Sequence, residues 1–500
     1  MRRLFQFALS IFFAAGIFSA GYAQSEAELD SMFLNPGGPT DMPAETASVR
    51  KLEIYGFAES ENYFGATGKA ANRDREIIKL ECRVKLNLKY GDPFFHVFTS
   101  LDGYFYPEIY PDASATAPAR TQNPHLPGRQ FAFEAQEAYI AGGDKLRFKA
   151  GKQLFGWGKA DAFKVANYLD QADLRELFAK DKGDQNRGVF AISLKYLFSD
   201  FAVEAALVPL HHAPLYPAAG TFWAIQNVAQ TIPYGGASFS TIPVTNNGTG
   251  LAAHFNNVSA AIRLGGTFGS LDAHISAHSG IDRSIFFQPV TTIPVLAAAG
   301  PPPDVSRNAS VTLSPYYARV LQGGGEVAFI IDRFSLRSEV VYTNDKVAIV
   351  KDTAEASSST RNNGGLELVL VNKVEREKYL AGTLGFDVKL WDDDSLILVE
   401  YTRAGYLKNN SRYFEEFLNN LAVIRIEDKV FDQRLEWKAG IILRPNGKDT
   451  GYAPNAETGW NFQNGLTVSL GAVFFYGDND SLFKLYRDAN LVFLRARYDF

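Results

Sequence analysis

Apolar and polar residues alternate along much of this chain with a period of two. The clearest run is Ile78 to Leu88, where Ile78, Leu80, Cys82, Val84, Leu86 and Leu88 are separated by Lys79, Glu81, Arg83, Lys85 and Asn87. A β-strand points successive side chains to opposite faces, so such a run predicts a strand with one apolar and one charged face. The pattern also sets Leu146, Phe148 and Ala150 against Lys145, Arg147 and Lys149. It sets Leu435, Trp437, Ala439 and Ile441 against Arg434, Glu436 and Lys438. At the very end Val492, Leu494, Ala496, Tyr498 and Phe500 alternate with Arg495, Arg497 and Asp499.

From Leu52 onward such segments run for roughly ten residues each, the length of a tilted membrane strand. About sixteen are predicted, the spacing of their starts leaving connections that alternate in length. Short turns fall at 90–93, 142–144, 199–200, 268–269, 332–333 and 392–394. Long connections lie at 64–75, 107–129, 156–187, 210–255, 281–314, 345–378 and 407–430. Two features do not fit. The stretch 445–464 is a long connection on the short side, and Glu137 interrupts an apolar row between Ala135 and Tyr139. The expected fold is all-β: a transmembrane antiparallel β-barrel of about 16 strands, with short helices in long extracellular loops. The final row resembles the closing strand of bacterial outer-membrane barrels, which ends on an aromatic. Tyr498 and Phe500 are therefore read as the insertion signal.

The N-terminus agrees with an exported protein. Arg2 and Arg3 precede an apolar stretch from Leu4 to Phe18 and small residues ending at Ala23. Residues 1–23 read as a signal peptide, 24–48 as a periplasmic lead-in with a short polar helix at Glu26–Phe33, and 49–500 as the barrel. No later apolar run is long enough for a helical span. The 23 Tyr and 39 Phe suit the aromatic girdles of a barrel. A single Cys82 excludes an internal disulfide framework, and a net charge of -5 gives no sign of a nucleic-acid partner.

In a barrel the residues opposite the apolar rows line the lumen. The expected lining includes Lys79, Arg83, Lys85, Lys145, Arg147, Lys149, Arg333, Arg337, Arg434, Lys438, Arg495 and Arg497, with acids such as Glu81, Glu134, Glu339, Glu400 and Asp499 among them. About sixteen strands leave an aqueous lumen, and a basic excess favours anions. After Leu154 comes a long segment with its own apolar spacing (Phe163, Ala166, Leu169, Leu177, Phe178), which predicts a helix within 160–180. This segment, with Trp157, Asp161, Asp170, Asp173 and Arg175, is a candidate constriction loop; an external cap is the alternative. Residues 411–424 are a second helix candidate.

The run Gly151-Lys152-Gln153 through Trp157-Gly158, then Asn167-Tyr168-Leu169-Asp170 and Asp173-Leu174-Arg175-Glu176, resembles the porin-like barrels grouped as domain of unknown function 1302. The chain departs from that pattern with Lys152 in place of Arg and Tyr168 in place of Pro. The resemblance implies a barrel and little about substrate.

One strand face gathers Asp272, His274, Ser276 and His278, the residue types of a hydrolase. An outer-membrane phospholipase also carries His and Ser on a strand, but its pair faces lipid, whereas here Leu271, Ala273, Ile275 and Ala277 take that face. Residues two apart on a strand also stand roughly 7 Å apart, too far for a good hydrogen bond. The expected function is therefore a non-enzymatic outer-membrane channel for passive or substrate-biased diffusion of small, anionic solutes, without cofactor or metal. Its partners are outer-membrane lipid, the barrel-insertion machinery and the solute, with homo-oligomerisation left open. The alternatives are a barrel whose loops bind a partner, and, ranked lower, a hydrophobic-compound transporter or an outer-membrane esterase.

Overall fold

Each alternating run pairs with its neighbour along the chain until the last strand meets the first. The computed structural model is a closed antiparallel barrel whose wall has 18 strands. They are β1 (Lys51–Gly65), β2 (Ile77–Gly91), β3 (Phe95–Phe105), β4 (Phe131–Gly143), β5 (Leu146–Gln153), β6 (Val189–Leu197), β7 (Ala202–Val208), β8 (Ser259–Phe268), β9 (Leu271–Ile281), β10 (Arg319–Ile331), β11 (Phe334–Thr360), β12 (Leu366–Lys389), β13 (Leu396–Tyr406), β14 (Leu421–Val430), β15 (Leu435–Arg444), β16 (Gly451–Asn461), β17 (Leu466–Val473) and β18 (Leu491–Asp499). The structure describes residues 50–66, 77–107, 125, 129–176, 182–217, 223, 227–231, 238–246, 257–283, 286–295, 310–360, 366–390, 394–408, 412–413, 419–445, 450–478, 482–486 and 489–500. The leader, the lead-in and its helix at 26–33 lie outside them.

β18 closes the wall on β1, from Phe57 opposite Asp499 to Gly65 opposite Leu491. Phe500 and Gly56 exchange both backbone hydrogen bonds at 2.9 Å, so pairing runs to the last residue. Closure leaves the wall no unpaired edge, which a bilayer requires. The rows opposite the charges face outward and are exposed: Ile54, Val84, Leu101, Ile140, Ile192, Ile275, Leu321, Leu384 and Leu494 among them. An apolar surface this continuous is built for lipid. Aromatics ring the short-turn rim, including Tyr90, Phe94, Phe198, Phe201, Phe268, Phe334, Phe431 and Phe462.

The strand count exceeds the expected sixteen by two, β14 and β16. β14 opens Leu421-Ala422-Val423-Ile424 without alternation. Its inner face is apolar there, because Leu421 packs inside against Phe475, Phe483 and Trp223. β16 carries Gly451, Pro454, Asn455 and Gly459, residues that read as a loop. With both in place the long connection at 445–464 resolves into two connections, 445–450 and 462–465, on either side of β16. The loop expected at 345–378 is also strand: β11 and β12 span 27 and 24 residues and project past the rim. Beyond it Phe286–Val295 pairs with β12, Ser310–Tyr316 with that strand, then Ser238–Asn246 and Asn227–Thr231. Three long loops thus share one outer sheet.

Glu137 finds its place through a bulge. β3 pairs Ser100 with Glu137 but Leu101 with Ala135, leaving Gln136 extra. A bulge shifts side-chain parity, so Glu134 and Glu137 both face the lumen while Phe133 stays 81% exposed outside.

Candidate constriction of the lumen

The long connection after β5, residues 154–188, enters the barrel. No α-helix forms among its described residues, which corrects the helix expected within 160–180; only a 3-10 turn occurs, at Lys182–Asp184. The reason lies in where its backbone N–H groups go. Asp170 accepts those of Phe155 and Gly156 at 2.8 and 2.9 Å. Glu339 on β11 accepts those of Ala160 and Ala166, and Glu400 on β13 accepts three in a row, from Asp161, Ala162 and Phe163, at 2.7–3.0 Å. Side-chain carboxylates replace the carbonyls a helix would use. Asn167 and Asp170 hold each other in a tight turn, Asn167 Nδ2 donating to Asp170 Oδ2 at 3.0 Å. Gly158 sits at φ +102, and a Cβ there would stand 2.8 Å from Glu339 Oε1.

The same arm carries ion pairs to the wall. Lys159 pairs with Asp272 on β9, and Asp161 with Arg337 on β11 at 2.8 Å, Arg337 also pairing with Asp387. Trp157 is buried beneath it, against Phe155 and Tyr168. Tyr168 stacks on His278 and accepts a hydrogen bond from Ser276. Burial pushes the Tyr168 hydroxyl up to about 12, so it stays neutral.

The returning arm reaches the other side. Gln171–Ala172 pairs with Asn186–Arg187, and Asp173, fully buried, bridges Arg175 and Arg187 at 2.6 Å each. Both arginines also meet Glu134 on β4. Burial disfavours the charged Arg175, but its bonds to Asp173 and then Glu134 outweigh this and raise its pKa. Glu176 pairs with Lys79 at 3.0 Å, and Asp184 with Arg83, both on β2. β2 and β11 lie nine strands apart in a ring of 18, half the circumference either way. A loop bonded to both spans the lumen.

Sequence comparison bears on this segment directly. The family described as protein of unknown function DUF1302 matches residues 72–425, which is most of the barrel and all of the loop. The chain belongs to this family. No curated protein matches it by sequence. Among solved structures it is similar to OccAB1 of Acinetobacter baumannii (9% identity, 90% of this chain and 95% of that one, TM-score 0.46). It is likewise similar to OccAB4 of the same organism (10%, 91% and 99%, TM-score 0.47) and to Salmonella typhi OmpF in complex with daunomycin (9%, 90% and 98%, TM-score 0.40).

In this DUF1302 barrel the twelve basic residues read as lumen lining fall into three groups. Lys79, Arg83, Arg337 and Arg495 are inward and engaged in ion pairs, Arg495 with Glu61 at 2.6 Å across the closing seam. Lys85, Arg147, Lys149, Lys438 and Arg497 also lie on inward rows; Lys438 pairs with Glu457 and Arg497 with Asp499. Lys145, Arg333 and Arg434 sit in short turns between strands, where alternation no longer assigns a face. The expected constriction residues Trp157, Asp161, Asp170, Asp173 and Arg175 are brought together within the loop and against the wall. Sequence reading missed Glu339 and Glu400 as anchors, because an acid on an inward row looks like any other lining residue until the loop opposite is known.

The row Asp272, His274, Ser276, His278 does face inward, yet no Ser–His pair forms. Ser276 donates to Tyr168 at 3.2 Å, His274 contacts Asp272 at 3.1 Å and His278 contacts Gln322 at 2.9 Å. Of the second helix candidate, the part from Leu421 is strand β14; 414–418 lie outside the described residues.

Proposed function

We propose that this barrel is an outer-membrane channel for small solutes, narrowed by loop 154–188 and biased toward anions. The observation that carries the reading is a loop whose carboxylate-held backbone joins opposite walls of a charged lumen. A dry core would not be lined with this many ions, whereas an 18-strand ring leaves room for water. The anion bias rests on which charges stay unpaired. Asp272, Glu339, Glu400 and Asp387 are engaged by the loop or by Arg337. Lys85 on β2 and Lys149 on β5 have no carboxylate partner among the described residues; Lys149 lies 4.6 Å over the Tyr139 ring. Fixed cations in a narrow low-dielectric passage raise the local anion concentration.

The test is the reversal potential across planar bilayers holding residues 24–500 in a salt gradient. An anion-selective channel is expected, and the double substitution Lys85→Glu with Lys149→Glu should shift selectivity toward cations without abolishing conductance. A cation-selective wild type would discard the bias. A second reading, a barrel whose outer loops bind a partner, draws support from the sheet beyond the rim. Stable insertion without conductance would favour it.

A further inference from the structure

The outward face of the wall is apolar almost everywhere, but one sector turns cationic at the long-loop rim. Along β12 the outward column reads Phe386, Leu384, Gly382, Leu380, then Lys378 and Arg376. Leu380 and Leu384 are exposed to 42% and 54%, as lipid-facing side chains are, and Lys378 and Arg376 are exposed directly above them. On β13 the column rises through Val399 and Tyr401 to Arg403, also exposed, with Gly382 opposite and no side chain between. Lys408 follows just past the strand end and is exposed too. None of these four cations has a carboxylate partner among the described residues. The nearby acids point elsewhere: Glu375 and Glu377 accept from Tyr413 on the inner side, and Asp345 in the β11 bulge is bonded by Asn344 at 2.7 Å. Elsewhere on that rim the outward positions include neutral or apolar side chains such as Asn62, Phe64, Phe131, Phe190, Leu210, Tyr452 and Tyr476, and the exposed Arg319 at the start of β10 is held by the Val258 carbonyl.

We propose that Arg376, Lys378 and Arg403 form a docking surface for the phosphate groups of an anionic lipid in the leaflet at the long-loop rim. Lipid chains would lie on Leu380, Leu384, Val399 and Tyr401, which places a headgroup level with the cations one to two residues higher. Guanidinium groups recognise phosphate in a bidentate manner, and a membrane-boundary position supplies such groups at high local concentration. The cations are spread along two strands and not gathered into a pocket, which fits a broad headgroup held by several phosphates better than a free ion. This inference goes beyond the channel reading and requires only that the barrel sits in a bilayer.

The test compares wild type with the triple variant Arg376→Gln, Lys378→Gln, Arg403→Gln, both inserted in phosphatidylcholine vesicles doped with bis-phosphorylated lipid A. Lipid retained per barrel after extraction into neutral detergent is counted by native mass spectrometry. Each cation near a charged surface is worth about a fivefold change in affinity, so the triple variant should retain lipid A about a hundredfold more weakly. Single-channel conductance should be unchanged, since none of the three faces the lumen, and this separates failure here from failure of the channel reading. Equal retention by the two proteins would overturn the proposal. So would displacement of lipid A by equimolar inorganic phosphate, or equal retention of undoped phosphatidylcholine.

Discussion

At the scale of single residues, two carboxylates decide the shape of the lumen. Glu400 accepts three consecutive backbone N–H groups and Glu339 accepts two more. A hydrogen bond to a charged group contributes roughly 1.5–3 kcal/mol, and a buried N–H left without an acceptor costs about as much again. Glu400→Gln leaves one carbonyl oxygen and no charge to serve three donors. The loop should then detach in part, and single-channel recordings should show larger, noisier openings than wild type; records indistinguishable from wild type would remove Glu400 from its assigned role. Little of this was legible beforehand. Asp161, Asp170, Asp173 and Arg175 stood out within a candidate constriction loop, but the helical spacing of Phe163, Ala166 and Leu169 beside them suggested a helix. Asp170 and Asp173 are instead fully buried. Period-3.6 spacing is uninformative where side chains, not backbone carbonyls, satisfy the N–H groups.

At the scale of elements, alternation made the strands visible wherever one face meets lipid and the other meets charge. β2, β5, β15 and β18 are of this kind. It failed for β14, which opens with Leu421 and Val423 inside and Ala422 and Ile424 outside, and for β16, whose Gly451, Pro454, Asn455 and Gly459 read as a loop; period-2 contrast vanishes where both faces are apolar. Glu137 looked like an error in an apolar row and is instead the sign of the Gln136 bulge. Deleting Gln136 would restore regular pairing across β3 and β4 with Leu101 still opposite Ala135 and Asp102 still opposite Glu134, so Glu134 would keep its lumen face and its bonds to Arg175 and Arg187. The deletion variant should therefore fold into vesicles in near wild-type yield, read as the heat-modifiable band on a gel; a markedly lower yield would mean that β4 needs the bend of the bulge itself.

At the scale of the whole molecule, the closed wall follows from an even strand count with the start of β1 and the end of β18 both on the short-turn side. β1 begins at Lys51 and Phe500 pairs with Gly56, so the seam joins first strand to last. A ring of 18 strands is wide enough for water, and in the proposed channel the loop after β5 narrows it. That arrangement was only half legible: the loop's length and apolar spacing marked it as more than a connection, yet its direction depends on Glu339 and Glu400, far away in sequence. The measurement that tests the account most directly is single-channel conductance of residues 24–500 lacking 160–182, beside the intact chain in the same bilayer. The account predicts discrete openings for both and a clearly larger conductance for the deletion. Equal conductance would contradict the constriction.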